Sequence, residues 1–185
     1  MPFAVALFLD EKSSATVTNI WHKLAERDIS ASRLLVGFRP HVTLVIADDI
    51  DREATKLLLD DFGNQQEPHN LVLSYLGVFP SETAGAIYLG VTVTQALLRL
   101  HNDFCRRFDD VSGTPRDYYL PGNWVPHCTL ADGLSCETMP RGMEICREIT
   151  FPMRCHAVEI GVLEFPPGRE LLTVPLRYRE AEAGE

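Results

Sequence analysis

The chain has 185 residues, 45 % hydrophobic and 23 % charged, a balance that excludes a disordered or fibrous protein. Its formal net charge of −9 argues against a face basic enough for duplex nucleic acid, but leaves room for a nucleotide or an RNA end in a locally positive pocket. Five cysteines without a CxxC spacing point to a reducing compartment, and the apolar run that stops at Asp10 is too short for a membrane span and has no basic segment before it, so a cytoplasmic protein is expected.

In chain order, Phe3–Leu9 reads as a buried strand. Ser13 or Ser14 is placed to cap a helix to about Arg27, in which Val17, Ile20, Trp21 and Leu24 share one face and His22 lies off it. Gly37-Phe38-Arg39-Pro40 leads into a strand from His41 to Ile46. Asp51 is placed to cap a helix from Glu53 to Phe62, with Leu57, Leu58 and Phe62 inward and Gly63 ending it. Leu71–Phe79 is a long strand closed by Pro80, and Ala86–Val93 is the next. Thr94 is placed to cap a helix to about Phe108, with Leu97, Leu100, Phe104 and Phe108 inward. A loop from Asp109 to Asn123 enters a strand at His127. A weak helix follows within Ser135–Arg147, its limits blurred by Pro140 and Gly142. Val158–Phe165 and Glu170–Leu176 are the last strands, and a charged tail from Arg179 to Glu185 is expected to fray.

Two strands carry the same pentapeptide pattern, Pro40-His41-Val42-Thr43-Leu44 and Pro126-His127-Cys128-Thr129-Leu130. Phe79-Pro80 follows the first histidine, and Phe165-Pro166 the second, at the same distance of 38 residues to the Phe. The motifs are offset by 86 residues, while Ala4–Leu7 and Ala86–Leu89 are offset by 82, so an insertion of four residues fits the loop before the second motif. This is the pattern of a duplication. It divides a single domain into pseudo-symmetric lobes of roughly 1–80 and 81–178, with strand exchange between them allowed. Residues i and i+2 of a strand share a face. His41 and Thr43 therefore point one way and Val42 and Leu44 the other, and likewise His127 and Thr129 against Cys128 and Leu130.

The paired motifs resemble the two HxTx signatures of the 2H phosphoesterase superfamily, which includes the 2′-5′ RNA ligase-like (LigT-like) proteins and the cyclic phosphodiesterases. The likeness covers nearly the whole chain, because element order and motif spacing also fit. It implies a duplicated, bilobal α+β fold, with two antiparallel sheets lining a central cleft and helices on the outside. It also implies metal-independent chemistry on 2′,3′-cyclic or 2′-5′ phosphodiesters, with no cofactor, and carries functional roles onto His41, Thr43, His127 and Thr129. The LigT-type enzymes tend to have a basic residue just after the second motif, where this chain has Ala131-Asp132. A small nucleotide therefore stands beside an RNA terminus as the expected substrate, with neither duplex DNA nor a membrane as partner, and the chain is expected to act as a monomer.

Opening a cyclic phosphodiester needs a base to activate water and an acid to protonate the leaving alkoxide. Histidine titrates near pH ~6.5, so neutral and protonated imidazoles coexist near neutrality. Threonine hydroxyls can donate to the non-bridging oxygens as charge grows on them. Arg39 is the nearest candidate cation in sequence, with Arg33 and Arg116 behind it. In the loop before the second motif, Tyr119 and Trp124 are candidates for stacking on a base, or else cover the lobe junction. No third ligand stands at a convincing spacing for a metal. Cys128, opposite His127, reads as a core thiol and His101 as a structural histidine. The expected activity is that of a cyclic phosphodiesterase; 2′-5′ RNA ligase-type activity and a non-catalytic nucleotide-binding module are the alternatives.

Overall fold

The computed structural model describes residues 1–112, 115–166 and 168–177, and both copies of the strand-helix-strand-helix-strand order are present in them. The first half runs β1 (Phe3–Leu9), α1 (Glu11–Glu26), α2 (Ser32–Val36), β2 (His41–Ala47), α3 (Arg52–Gln65) and β3 (His69–Phe79). The second runs β4 (Gly85–Val91), α4 (Gln95–Ser112), β5 (His127–Leu134), α5 (Thr138–Cys146) and β6 (Met153–Glu164), with β7 (Arg169–Pro175) added at the end. The tail 179–185, expected to fray, lies outside the described residues.

The helices differ from expectation in their ends and phases. Asp10, not Ser13 or Ser14, caps α1: its carboxylate accepts from the Ser13 amide at 2.9 Å and the Ser13 hydroxyl at 3.0 Å, and both serines fall in the first turn. Asp51 caps α3 through the Ala54 amide. Leu57 of α3 is 69 % exposed, and Leu59 takes the inward place beside Leu58 and Phe62. The helix runs past Gly63 to Gln65, and the glycine sits where β7 approaches. A Cβ there would lie 2.7 Å from Val174 Cγ1 and 2.9 Å from the Pro175 carbonyl. The short α2 has no strong sequence signal: no side chain caps it, and Gly37, at φ 74°, ends it in the left-handed region.

The strands form one antiparallel sheet in the order β2-β1-β6-β3-β4-β5, with β7 pairing β6. It consists of two matching sets, β2-β1-β6 and β5-β4-β3. In each set the third strand comes from the other half of the chain, and β3 pairs β6 where the sets meet, with Leu71 opposite Cys155. The two expected sheets are thus continuous across this junction. The register reproduces the duplication: Phe8 pairs His41 and Ala6 pairs Thr43, while Gly90 pairs His127 and Tyr88 pairs Thr129. The Leu9 amide donates to the Pro40 carbonyl at 3.2 Å, and the Val91 amide to the Pro126 carbonyl at 3.1 Å. Both ladders also slip at the same place. Val5 pairs Val45, skipping Leu44, and Ile87 pairs Ala131, skipping Leu130.

Val5, Leu7 and Leu9 of β1 enter the main core with the apolar faces of α1, α3 and α4, whereas Ala4, Ala6 and Phe8 form a small cluster with Leu163 on the opposite face. The outer strands β2 and β5 have edges that the helices and loops close. Trp124 donates its indole N–H to the Thr43 carbonyl at 2.9 Å, His101 Nε2 bonds the Leu44 carbonyl at 3.1 Å, and the Arg116 amide donates to the Ile46 carbonyl at 2.8 Å. On β5, Trp21 of α1 donates to the Thr129 carbonyl at 3.2 Å. Each histidine strand is thus braced by a tryptophan from the other half of the chain. No helix among the described residues is long and apolar enough to cross a membrane.

Candidate active site

The alternation expected from the sequence is present in both motif strands. Val42, Leu44, Cys128 and Leu130 are buried, while His41, Thr43, His127 and Thr129 are part-exposed and line a single cleft of about 410 Å³. The two histidines are held alike. His41 Nδ1 lies 2.6 Å from the Arg39 carbonyl, and His127 Nδ1 lies 2.6 Å from the Val125 carbonyl. A carbonyl can only accept, so in each ring Nδ1 carries a proton and donates it, which leaves Nε2 as the free nitrogen of the neutral imidazole. The intervening proline explains the match. It biases the residue before it toward extended backbone, which turns that residue's carbonyl to the ring two positions on. Neither threonine hydroxyl is bonded to a protein group among the described residues, which leaves both free to donate.

Aromatic rings crowd both imidazoles. Phe38 and Phe8 meet His41 edge-on at 5.9 and 6.1 Å between centroids, and Phe79 and Tyr88 approach His127 at 5.0 and 5.2 Å. Burial pushes His41 down to about 4; the charges of Arg33 and His127 act the same way, and the Arg39 carbonyl and Glu170 oppose them. His127 is lowered by burial, with the Val125 carbonyl opposing it. After the matched slips in the ladders, Ile46 and Asp132 occupy equivalent places on the cleft face. Asp132 is ion-paired with Arg33 of α2, which also lines the cleft. Phe38, Phe165 and Tyr119 complete the walls. From Tyr119 and His127 a recess of about 330 Å³ opens between Phe79, Tyr118, Asn123 and Val125.

Two expected site residues lie elsewhere. Arg39 turns out of the cleft: its guanidinium pairs with Glu159 at 2.5 Å and Glu170 at 2.8 Å, and lies 4.1 Å from the centre of the Phe8 ring. It touches His41 through its backbone carbonyl only; Glu159 and Glu170 hold its guanidinium over Phe8, off the lining of the cleft. Trp124 is 9 % exposed and lies flat against His101, with ring centres 3.9 Å apart, and its N–H is taken by the Thr43 carbonyl. It braces the seam and does not line the cleft; Tyr119 of the same loop does. Arg116 pairs with Asp48 outside the cleft. Cys128 is buried, and burial pushes its thiol up to about 12, as befits a core residue. His101 is wholly buried between α4 and β2. Arg33, ranked behind Arg39 from sequence, is the arginine that lines the cleft among the described residues. A signal for it lay in the repeat: Asp132 stands where Ile46 stands in the other copy, and a carboxylate on that face calls for a cation.

Among the described residues no cluster of three or more His, Cys, Asp or Glu could hold a metal ion. The sequence pattern of the 2′-5′ RNA ligase superfamily matches residues 11–167. No curated protein sequence matches the chain. Among solved structures, TT0787 of Thermus thermophilus superposes with a TM-score of 0.61 at 18 % identity, over 97 % of this chain and 100 % of that one. LigT of E. coli complexed with ATP gives 0.55 at 17 % identity, over 95 % and 98 %. The same protein complexed with 3′-AMP gives 0.53 at 18 % identity, over 95 % and 94 %. At these identities the likeness is one of fold.

Proposed function

The chain belongs to the 2′-5′ RNA ligase superfamily, and on that premise we propose that it is a metal-independent phosphodiesterase that opens the 2′,3′-cyclic phosphate of a nucleotide or RNA end. The observation that carries this reading is the matched pair of imidazoles in one cleft, each with Nδ1 committed to a carbonyl and Nε2 free. E. coli LigT, of the same fold, has been crystallised with 3′-AMP.

His41, the further depressed of the two, is the base. Its Nε2 takes a proton from water as the water oxygen bonds to phosphorus. The bond from phosphorus to one ribose oxygen breaks, and His127 Nε2 gives its proton to that oxygen. Thr43 and Thr129 donate to the non-bridging oxygens, where charge accumulates. Proton exchange with solvent then restores both imidazoles. The recess bounded by Phe79, Tyr118 and Tyr119 accommodates the base, which stacks on any of these rings without a sequence requirement.

The pH dependence has a definite sign. In the free protein the base is neutral above about 4, and the acid is protonated only below a value itself lower than the usual ~6.5 of histidine. The profile of kcat/KM, which reports the free enzyme, is expected to peak in that acid window and fall toward neutrality. A bound phosphate anion favours the imidazolium, so the profile of kcat shifts to higher pH. Rates on 2′,3′-cyclic AMP across pH, with products resolved and EDTA present, test both points. A kcat/KM that climbs through neutrality removes the acid–base assignment, and activity abolished by the chelator removes the metal-free mechanism.

A further inference from the structure

Arg33 and Asp132 form an ion pair inside the cleft that the acid–base chemistry does not use. Asp132 reaches the cleft because β5 slips past Leu130, which turns the strand by one residue and puts a carboxylate where β2 has Ile46. That position faces the space in which an anion would be bound. Arg33 answers it from α2 through Nη2. Its Nε is buried and has no partner among the described residues, and its side chain is only 17 % exposed. A buried N–H without an acceptor is costly unless a ligand oxygen supplies one.

The helix that carries Arg33 is fixed beside both walls. The Ser30 hydroxyl donates to the Asp132 carbonyl at 3.3 Å. At the other end Val36 packs on the turn between β6 and β7, so closely that a Cβ on Gly168 would lie 2.6 Å from Val36 Cγ1. Apart from the histidines, Arg33 is the cleft's one cationic side chain among the described residues, and Asp132 its one carboxylate. Arg39 and Arg116 are both engaged with carboxylates elsewhere.

We propose that Arg33 is the phosphate-binding cation of this cleft, and that Asp132 positions it and sets the charge the site accepts, a singly charged phosphodiester in preference to a doubly charged phosphomonoester. This deepens the phosphodiesterase reading and rests on it. The guanidinium presents several donors in a plane, so Nη2 can hold Asp132 while the part of the fork that faces the cleft meets a phosphate oxygen, and a small shift of the side chain toward that oxygen would bring the sealed Nε an acceptor. The pair together is neutral. A diester brings one negative charge to Arg33, whereas a monoester brings a second that meets the Asp132 carboxylate. Ring opening converts the first kind of ligand into the second, so the same pair expels the product.

Binding without turnover tests this, using inorganic phosphate at pH 8 as the dianion and dimethyl phosphate as the monoanionic diester, titrated by NMR. Arg33→Gln is expected to weaken both by about tenfold or more, the loss of a charge-assisted hydrogen bond. Asp132→Asn keeps Arg33 in place and is expected to tighten phosphate by about fivefold, with dimethyl phosphate changed by no more than about twofold. The ratio of the two affinities is the readout that a merely structural Asp132 would not move. Unchanged binding in Arg33→Gln, equal effects of Asp132→Asn on both ligands, or no binding of either ligand to the unmodified protein each overturns the proposal. Should Arg33→Gln fail to fold, Asp132→Asn decides alone. If the protein binds phosphate in this pattern yet does not open cyclic nucleotides, the phosphodiesterase reading fails and the anion site stands.

Discussion

Alanine at His41 or at His127 is expected to lower turnover of a 2′,3′-cyclic nucleotide by about 10²–10⁴-fold, the contribution of one general acid or base. The protein should remain folded. Each imidazole is part-exposed, and its single protein hydrogen bond runs to the carbonyl two residues earlier, just before its strand begins, so alanine leaves no distant partner stranded. The double variant should lose little beyond the worse single one, because both groups serve the same transition state and their losses do not add. Thr43→Val and Thr129→Val keep side-chain shape and are expected to cost less, about tenfold each, since a hydroxyl donor to a phosphoryl oxygen is a weaker contribution than proton transfer. Melting curves recorded beside the rates separate chemistry from stability. A folded His41→Ala protein with undiminished turnover would refute the assignment.

What the sequence made legible was local or repeated. The alternation of His-x-Thr fixes which side chains share a face, and the equal distance from each histidine to its Phe-Pro places the motifs in equivalent surroundings. The register of β1 on β2 and of β4 on β5 carries that equivalence down to single pairs, Phe8 with His41 and Gly90 with His127. What stayed hidden depends on contacts far apart in the chain. Arg39 is drawn out of the cleft by Glu159 and Glu170, more than a hundred residues away, and no local pattern announces either partner. Leu57 and Leu59 are equally apolar, and which of them turns inward follows from the elements that α3 packs on, with Phe62 against Phe104 of α4 and Gly63 under β7. Asp132 reaches the cleft face only through the slip at Leu130, which strict alternation from His127 does not anticipate. Arg33 sits on a five-residue helix too short to show a period.

Of the two places the sequence leaves open for Trp124, on a base or over the junction of the halves, it takes the second, and it carries the largest expected effect on stability. Trp124→Ala should destabilise the protein by about 3–5 kcal/mol, the range for emptying a buried large aromatic site. The cavity would open against His101, whose Nδ1 already lacks a partner among the described residues, and would free the Thr43 carbonyl on the edge of β2. Trp124→Phe retains most of the apolar contact but not the N–H, and should cost about 1–3 kcal/mol for the unsatisfied carbonyl. Trp21→Phe removes the corresponding bond to the Thr129 carbonyl and should act similarly. Urea unfolding measures all three. Because each tryptophan holds the strand of the other half, the local effects should be crossed. Trp124→Phe should shift the imidazole NMR signals of His41 more than those of His127, and Trp21→Phe should do the reverse. Signals that move in the histidine of the tryptophan's own half, or unfolding within about 0.5 kcal/mol of the unmodified protein, would mean that these bonds do not hold the two motif strands in place.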